Sequence, residues 1–299
     1  MLSFLVLGDW GRRGTDAQRA VASGMARAAR TYNPQFILST GDNFYEHGVQ
    51  SVRDPHWVES FDAVYDDPAL HLPWYVALGN HDHEGSVEAQ CAYSQYDARW
   101  SMPDRFFAIN KRVATNVYAQ LIFLDTTPFT EAAGDEAVGT AYDPTLQAYW
   151  LRNMLAPSRS HWRIVIGHHP LRSGSTFHGD TPALRDRVEP VLHQFGVHAY
   201  LCGHEHDQQH LVHDGLHHVI SGAGSEHRPT DAGPLTRFCR SGLGFAVVTL
   251  HATVMELRFC EADGTVCYET RIDREAPVAS LPSDGTVGTA PKRDAVQPS

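Results

Sequence analysis

Polar side chains that can bind metal ions follow glycine at five places along the chain. The motifs are GDWG from residue 8, GDNFY from residue 41, GNHDH from residue 79, GHHP from residue 167 and GHEH from residue 203. Carboxylate, phenolate, amide and imidazole groups together can hold two metal ions when one carboxylate bridges them. Two such ions can activate a water molecule and clamp a phosphoryl group. The candidate ligands are Asp9, Asp42, Tyr45, Asn80, His168, His204 and His206.

Short apolar runs precede these motifs and must position them. The runs are Phe4–Leu7, Phe36–Leu38, Trp74–Leu78, Ile164–Ile166 and Tyr200–Cys202, and a further run, Leu121–Leu124, precedes DTTPF. Runs this short that end in a polar or glycine-rich turn are typical of buried strands. Because ligands bind outside the carboxyl ends of the strands in open α/β sheets, the pattern predicts that these side chains line one cleft. A glycine directly before the first ligand of each motif lets the backbone turn sharply off its strand.

Helices are predicted between the strands. An alanine-rich helix begins at Thr15 or Asp16 and ends near Tyr32, a second runs from Asp143-Pro144 to about Leu155, and a third runs from Thr181-Pro182 to just before Gly196, with caps and prolines in their preferred places. Strand patterns without helices between them follow, which indicates a meander. These patterns are His218–Ile220, Gly244–Leu250, Val254–Cys260 and Thr265–Arg271.

The composition limits the partners of the protein. The chain has 299 residues and a net charge of −11, so it lacks the basic surface that nucleic acids or anionic membranes require. No apolar run approaches the ~18 residues of a membrane span. The apolar stretch at the N-terminus is too short for a signal peptide. We therefore expect a cytoplasmic protein, or a secreted or periplasmic one if a leader was removed.

Two further features concern the ends and the cysteines of the chain. Residues 276–299 are rich in Pro, Ser and Gly and are expected to form a flexible tail, because they cannot bury enough apolar surface. The five cysteines are too few and too irregularly spaced for a disulfide framework, and we interpret them as buried thiols.

The order of the motifs resembles the calcineurin-like metallophosphoesterases, whose general pattern is D-x-H, GD, GNH[DE], GH and GH-x-H. Gly11 stands where most of that superfamily has histidine, and Tyr45 follows Asp42 by three residues, as in the purple acid phosphatases. GDWG and GNHDH look like the small, tartrate-resistant type. The resemblance covers roughly residues 1–270, with residues 1–275 as the catalytic domain. It implies an α/β fold, a four-layer α-β-β-α sandwich of two mixed β-sheets flanked by helices.

The resemblance also implies a role for each site residue. His81 would orient the phosphate and protonate the leaving oxygen, and His178 would be a second histidine facing the substrate. Hard phenolate and carboxylate donors favour Fe(III) in the tyrosine site, whereas the second site would take Fe(II), Zn(II) or Mn(II). The implied ligands are Asp9, Tyr45 and His206 for the first metal, and Asn80, His168 and His204 for the second, with Asp42 bridging.

The expected function is that of a binuclear-metal acid phosphatase, in which a metal-bound hydroxide attacks small phosphate monoesters. Two alternatives stay open: a divalent-metal phosphodiesterase of the same superfamily, and a non-catalytic module that binds phosphate or metal. No pattern specifies an oligomeric state. Arg12 and Arg13, just after the first motif, could contact a phosphate or a leaving group, but the interpretation as solvated surface residues is favoured. The remaining histidines are interpreted as supporting, structural or exposed, among them His47, His83, His169, His193, His213 and His218.

Overall fold

Two seven-stranded mixed β-sheets form the centre of the computed structural model, which describes residues 1–130 and 143–274. The strands are β1 (Leu2–Leu7), β2 (Ile37–Ser39), β3 (Trp74–Val76), β4 (Trp100–Ser101), β5 (Phe107–Ala114), β6 (Val117–Phe123), β7 (Trp162–Ile166), β8 (Ala199–Cys202), β9 (Gln208–His213), β10 (Leu216–Ser221), β11 (Thr236–Arg240), β12 (Gly244–Leu250), β13 (Val254–Glu261) and β14 (Val266–Asp273). The helices are α1 (Asp16–Tyr32), α2 (Asn80–His83), α3 (Val87–Tyr93), α4 (Pro144–Leu155), α5 (Pro182–Arg187) and α6 (Glu189–Gln194), with shorter helical turns at Trp57–Asp62, Pro68–Leu70 and Thr127–Phe129.

The strand order places the chemically active loops at one edge of each sheet. The first sheet has the order β14-β13-β12-β1-β2-β3-β4, and the second has the order β11-β9-β10-β8-β7-β6-β5. Strands β1, β2 and β3 are parallel neighbours, and so are β6, β7 and β8. The carboxyl ends of each parallel set therefore lie together, as the sequence predicts.

Alternating side chains divide the interior into two cores, because successive residues of a strand point to opposite faces. In β6, Leu121 and Phe123 belong to the core between the sheets, whereas Ile122 packs in a second core with Leu151 of α4 and Leu184 of α5. Helix α1 packs on the outer face of the first sheet against β12 and β1. The result is the expected four-layer α-β-β-α sandwich.

Each predicted strand is confirmed, and so are the first two helices. The third helix is wrong as a single element, since the chain forms α5 and α6 with a break at Val188. Pro190 in the first turn of α6 lacks the backbone N–H that a continuous helix would need at this position. Strands β4, β5, β9 and β11 were not in the predicted set.

The cysteines are free thiols, of which Cys202 and Cys260 are buried and the other three are half-buried. The predicted tail, residues 276–299, lies outside the described residues. Among the helices of the described chain, none combines the length and the apolar character needed to cross a membrane.

A relay of hydrogen-bonded side chains, which consists of His217, His210 and Tyr268, joins β10 and β9 of the second sheet to β14 of the first sheet. The Nε2 atom of His210 lies 2.9 Å from Nδ1 of His217, and its Nδ1 atom lies 2.9 Å from the hydroxyl of Tyr268. Burial, and after it the neighbouring His217, lowers the pKa of His210 to about 3. The folded state therefore keeps this ring neutral at pH values where a free histidine takes up a proton.

We expect the free energy of unfolding to fall as the pH is lowered from 7 to 5. The unfolded chain binds protons at His210 below a pKa of about 6.5, while the folded state does not, so the unfolded state gains stability as the pH falls. His210 alone accounts for ~2 kcal/mol at pH 5. Urea denaturation at pH 7, 6 and 5 measures the effect, and His210→Gln should reduce the slope. The exposed His71→Gln serves as the control, and equal slopes in wild type and His210→Gln would contradict the interpretation.

Candidate metal centre

The seven candidate ligands come together where the carboxyl ends of β1, β2, β3, β7 and β8 meet. Backbone hydrogen bonds join the loops: the His204 N–H donates to Oδ2 of Asp9 at 3.0 Å, and the Gly203 N–H donates to the His168 carbonyl at 3.0 Å. Loops from both sheets thus face one another across a single cleft. Asp9, Asp42 and His168 are fully or almost fully buried there.

The backbone at this edge adopts conformations that most residues avoid. Asp9, Asp42 and His204 have φ angles of 58°, 50° and 69°, in the left-handed region that costs an L-residue about 1 kcal/mol or more. Glycine is required beside them, because a Cβ atom at Gly79 would lie 2.2 Å from Oδ1 of Asp42 and one at Gly203 would lie 2.3 Å from Oδ2 of Asp9. The tight turns aim the side chains back into the cleft.

Gly11 shows why the first motif departs from the superfamily pattern. A Cβ atom at this position would lie 1.8 Å from the backbone oxygen of Asn43, so no side chain fits. The Tyr45 N–H donates to the Gly11 carbonyl at 2.8 Å, which brings Tyr45 to the place in the cleft that the first motif leaves open.

The first trio consists of Asp9, Tyr45 and His206, whose polar atoms meet at the Tyr45 hydroxyl. This hydroxyl lies 2.9 Å from Oδ1 of Asp9 and 3.1 Å from Nε2 of His206, and His206 Nε2 lies 3.3 Å from the same Asp9 oxygen. Oδ2 of Asp42 lies 2.8 Å from the hydroxyl. One hydroxyl proton therefore faces two carboxylate oxygens and a ring nitrogen, and it cannot satisfy all three.

The second trio consists of Asn80, His168 and His204, whose polar atoms meet at Nε2 of His168. This atom lies 3.2 Å from Oδ1 of Asn80 and 3.2 Å from Nδ1 of His204, and 3.4 Å from Oδ2 of Asp42. On the other side of the ring, Nδ1 donates to the Thr40 carbonyl at 3.0 Å. A hydrogen bond of that kind orients a metal-binding imidazole and leaves its other nitrogen for the metal.

The charges of the cluster fit a cation at this place. Burial opposes the charge on His168, but Asp42 and then Asp9 raise the pKa of this ring to about 9. Burial also opposes ionisation of Asp42, yet His168 and then His81 hold the pKa of the carboxyl below its usual value. The two aspartates favour positive charge beside them, and bound metal ions would supply it. The donor set therefore fits two metal ions with Asp42 between them.

The surroundings of Tyr45 disfavour the charged form of its side chain, whereas those of Asp42 and His168 favour the charged forms. Burial, followed by the charges of Asp42 and Asp9, raises the pKa of the phenol well above its usual value. A nearby cation reverses this balance and favours the deprotonated ligand. Tyr45 is therefore suited to a metal of high charge.

His81 lies in the cleft but in neither trio. Its backbone N–H donates to Oδ1 of Asp42 at 2.9 Å, and Nδ1 of its ring lies 2.5 Å from the Glu46 carbonyl. Nε2 lies 4.0 Å from Oδ2 of Asp42. The ring thus faces the same space as the ligands while its Nδ1 side is bound to the backbone.

His178 also reaches the centre, on a loop after β7. Its ring centroid lies 4.0 Å from that of His204, and its Nε2 atom lies 3.1 Å from Nη1 of Arg228. Oε1 of Glu205 accepts hydrogen bonds from the backbone N–H groups of His178 at 3.2 Å and Gly179 at 2.7 Å. Glu205 and Arg228 were not among the predicted site residues, because the sequence around them does not indicate a role at the site.

Asp82 is the main supporting residue that the sequence analysis missed. It is fully buried and accepts hydrogen bonds from the backbone N–H groups of Gly79 at 2.8 Å and Asn43 at 3.0 Å, and from the side chain of Gln90 at 2.8 Å. Burial, and then the charge of Asp42, raises the pKa of Asp82 to about 6. Its place within GNHDH was the signal that could have identified it.

The interpretation of Arg12 needs correction. Arg12 is not a solvated surface residue, because its guanidinium lies 3.8 Å from the centre of the Tyr45 ring and pairs with Glu226 at 2.7 Å. His169 agrees with its interpretation as a supporting residue, since it is buried with its ring 4.4 Å from that of His204 and its Nδ1 atom lies 2.9 Å from Oγ1 of Thr126. Arg13 is exposed, as expected.

His47 and His83 agree with their interpretation. His47 is exposed beside Glu84, and Nε2 of His83 lies 2.9 Å from Oδ1 of the buried Asp125. Both lie outside the two trios.

Comparisons with known proteins identify the relatives of this arrangement. The family model for calcineurin-like phosphoesterases matches residues 2–208. Tartrate-resistant acid phosphatase type 5 from Homo sapiens is 36% identical over 92% of this chain and 92% of its own length. Purple acid phosphatase 17 from Arabidopsis thaliana is 35% identical over 90% of this chain and 83% of its own length.

A solved structure shows the same fold at lower sequence identity. It is a Plasmodium protein described as GAP50, the anchor in the inner membrane complex. The TM-score is 0.83 at 24% identity, over 92% of this chain and 89% of the other. This likeness concerns the fold alone.

We expect Asp42→Asn to lose the metal content of the centre. An amide at this position removes the charge and one oxygen from the point where both trios meet. Metal per chain, measured by mass spectrometry after dialysis, should fall by more than about one equivalent relative to the wild type. The exposed Asp66→Asn should keep the wild-type content. Retention of the wild-type metal content by a folded Asp42→Asn protein would contradict the bridging role.

Proposed function

The chain belongs to the calcineurin-like phosphoesterase family, in its purple acid phosphatase branch, and from that membership we propose that it hydrolyses small phosphate monoesters at a binuclear metal centre. One observation carries the proposal: two trios of buried or half-buried donor groups share the carboxylate of Asp42, with Oδ2 2.8 Å from the Tyr45 hydroxyl and 3.4 Å from Nε2 of His168. Relatives named acid phosphatases extend over about nine-tenths of the chain.

The two trios are proposed as the two metal sites. The first comprises Asp9, Tyr45 and His206, and it contains the phenol and a carboxylate, which favour Fe(III). The second comprises Asn80, His168 and His204, and its amide and imidazoles suit Fe(II), Zn(II) or Mn(II). When bound, the two ions lower the pKa of water and neutralise charge on the phosphoryl oxygens.

His81 is proposed as the acid that protonates the departing alcohol. The Glu46 carbonyl, 2.5 Å from Nδ1, accepts one ring proton and fixes the orientation of the imidazole. A protonated imidazole carries a second proton on its other nitrogen, and here that atom, Nε2, faces the cleft 4.0 Å from Asp42. The proton is thus held beside the space where a phosphate would bind.

His178 and Arg228 are proposed to bind the phosphate from the opposite loop. Nη1 of Arg228 lies 3.1 Å from Nε2 of His178, and the His178 ring lies against that of His204. Burial is the largest cause that lowers the pKa of His178; the charge of Glu205 raises this pKa, and the charge of Arg228 lowers it. We assign this pair to substrate positioning.

A cavity beside Tyr45 is suited to the leaving group. Its volume is about 450 Å³, and its lining includes Arg12, Arg13, Tyr45, Glu46 and His47. Small-molecule pockets usually measure roughly 300–1,000 Å³, so the alcohol part of a small ester fits. Its carboxylate, arginine and histidine lining favours a polar leaving group.

His81→Gln tests the proton donor and the monoester assignment together. Turnover of an alkyl phosphate, a poor leaving group, should fall by about 10²-fold or more, whereas nitrophenyl phosphate should be affected much less, because its leaving group needs no proton. Metal content should not change. The exposed His71→Gln, which lies outside that cavity and outside both trios, should behave as the wild type.

Two results would contradict the assignment. Equal losses with both monoesters would remove His81 from the proton-transfer step. Faster hydrolysis of a nitrophenyl diester than of the monoester by the wild type would instead favour a divalent-metal phosphodiesterase.

Tyr45→Phe tests the proposed iron site. After mild oxidation, the iron-loaded wild type should show a broad visible absorption band from phenolate-to-Fe(III) charge transfer, and Tyr45→Phe should lack it. Tyr65→Phe is the matched control, because Tyr65 is a fully buried phenol of the aromatic core that belongs to neither trio. A colourless wild type that is active with manganese or zinc would contradict Fe(III) at Tyr45.

A further inference from the structure

Three histidines and one glutamate converge on the helix-covered side of the second sheet, away from the binuclear centre. Glu189 and His193 lie one turn apart on α6, and His213 is the last residue of β9. His218 in β10 pairs with Leu211 of β9, so it lies diagonally opposite His213 on the same face of the hairpin. The helix and the hairpin thus bring together side chains that no single motif contains.

One carboxylate oxygen is the common point of this cluster. Oε1 of Glu189 lies 3.8 Å from Nε2 of His193, 3.3 Å from Nδ1 of His213 and 3.7 Å from Nε2 of His218. The ligand atoms of Glu189, His193 and His213 all lie within 4.8 Å of one another. The ligand atoms of Glu189, His193 and His213 therefore surround one small volume, and Nε2 of His218 approaches it through Oε1 of Glu189.

Within residues 1–130 and 143–274, the buried ring nitrogens near this volume have no hydrogen-bond partner. Nε2 of His193, Nδ1 of His213 and both nitrogens of His218 are buried and unpaired. His218 has an exposed side-chain fraction of only 1%. An unsatisfied buried polar atom is costly, and native proteins rarely leave several of them together. Three of these nitrogens approach the same oxygen of Glu189, which indicates a site for a partner that accepts lone pairs.

Glu189 is held in place for such a partner. Nε and Nη2 of Arg172 donate to its two oxygens at 2.7 and 3.0 Å. A carboxylate has about four lone-pair sites, so two remain after the arginine has bound. Arg172 orients the carboxylate and balances its charge, in the way that outer hydrogen bonds support metal ligands.

Two of the three histidines of the cluster reach the solvent. The side chains of His193 and His213 remain 29% and 27% exposed. An ion can therefore reach the cluster from solvent.

We propose that Glu189, His193, His213 and His218 bind one divalent transition-metal ion of the zinc type, separate from the binuclear centre. Three imidazoles and one carboxylate match the four-coordinate donor sets that zinc adopts in proteins. Metal–ligand distances of about 2.0–2.2 Å require the side chains to draw together around the ion. The ion joins α6 to the β9–β10 hairpin and has a structural role.

The zinc content of the whole protein tests the proposal. After zinc loading and gel filtration, the wild type should carry one equivalent more than His193→Gln/His213→Gln. The matched control is His71→Gln/His251→Gln, which changes two histidines outside both metal clusters and should keep the wild-type content. Phosphatase activity should be the same in the three proteins, since neither pair of residues belongs to the binuclear centre.

A second background isolates the new site. In Asp42→Asn protein, zinc should still raise the thermal unfolding midpoint, and adding His193→Gln/His213→Gln should weaken zinc binding at least tenfold and abolish the shift. If the double variant does not fold, the same comparison uses His193→Gln alone, whose side chain lies partly at the surface. Equal zinc content and equal affinity with and without these histidines would overturn the proposal.

Discussion

The carboxylate of Asp42 is the point at which the two halves of the sandwich meet. One of its oxygens contacts Tyr45, from the first sheet, and His168, from the second, while the other accepts the backbone N–H of His81. These contacts are possible only if the carboxyl ends of β2 and β7 face each other at a fixed separation. The packing of the sheets therefore decides whether the centre exists, and a slip of one residue in either sheet would turn the ligands away.

The surrounding scaffold holds this charged cluster rigidly. Trp10 packs with the rings of Phe44, Tyr65 and Trp74 at centroid separations of 5.5 Å, and its indole N–H donates to Ser39 at 2.9 Å. Ser39 in turn donates to the side chain of Asn43 at 2.5 Å. The aromatic core thus fixes the turns that carry Asp9 and Asp42. Left-handed backbone conformations at ligands persist only where the surroundings determine them so strongly.

The 19 histidines of this acidic chain fall into distinct physical settings. One group faces the binuclear centre, where carboxylates favour positive charge. The relay of His210 and His217 is kept neutral by burial. The cluster at Glu189 combines unpaired ring nitrogens with a carboxylate held by Arg172. The same side chain therefore serves as proposed ligand, neutral hydrogen-bonding link and proposed third metal site, according to burial and neighbouring charge.

The sequence by itself determined the class of the fold and the set of candidate ligands. Each ligand follows a strand and a glycine, and strand ends, turn glycines and metal donors are local features that a single segment contains. The tertiary structure alone decided the rest. The break between α5 and α6, the stacking of Arg12 on Tyr45, and the support from Asp82 and Glu205 depend on how distant loops pack. The convergence of Glu189, His193, His213 and His218 depends on a helix crossing a hairpin, because burial and the pairing of polar atoms are properties of the packed chain and not of any segment.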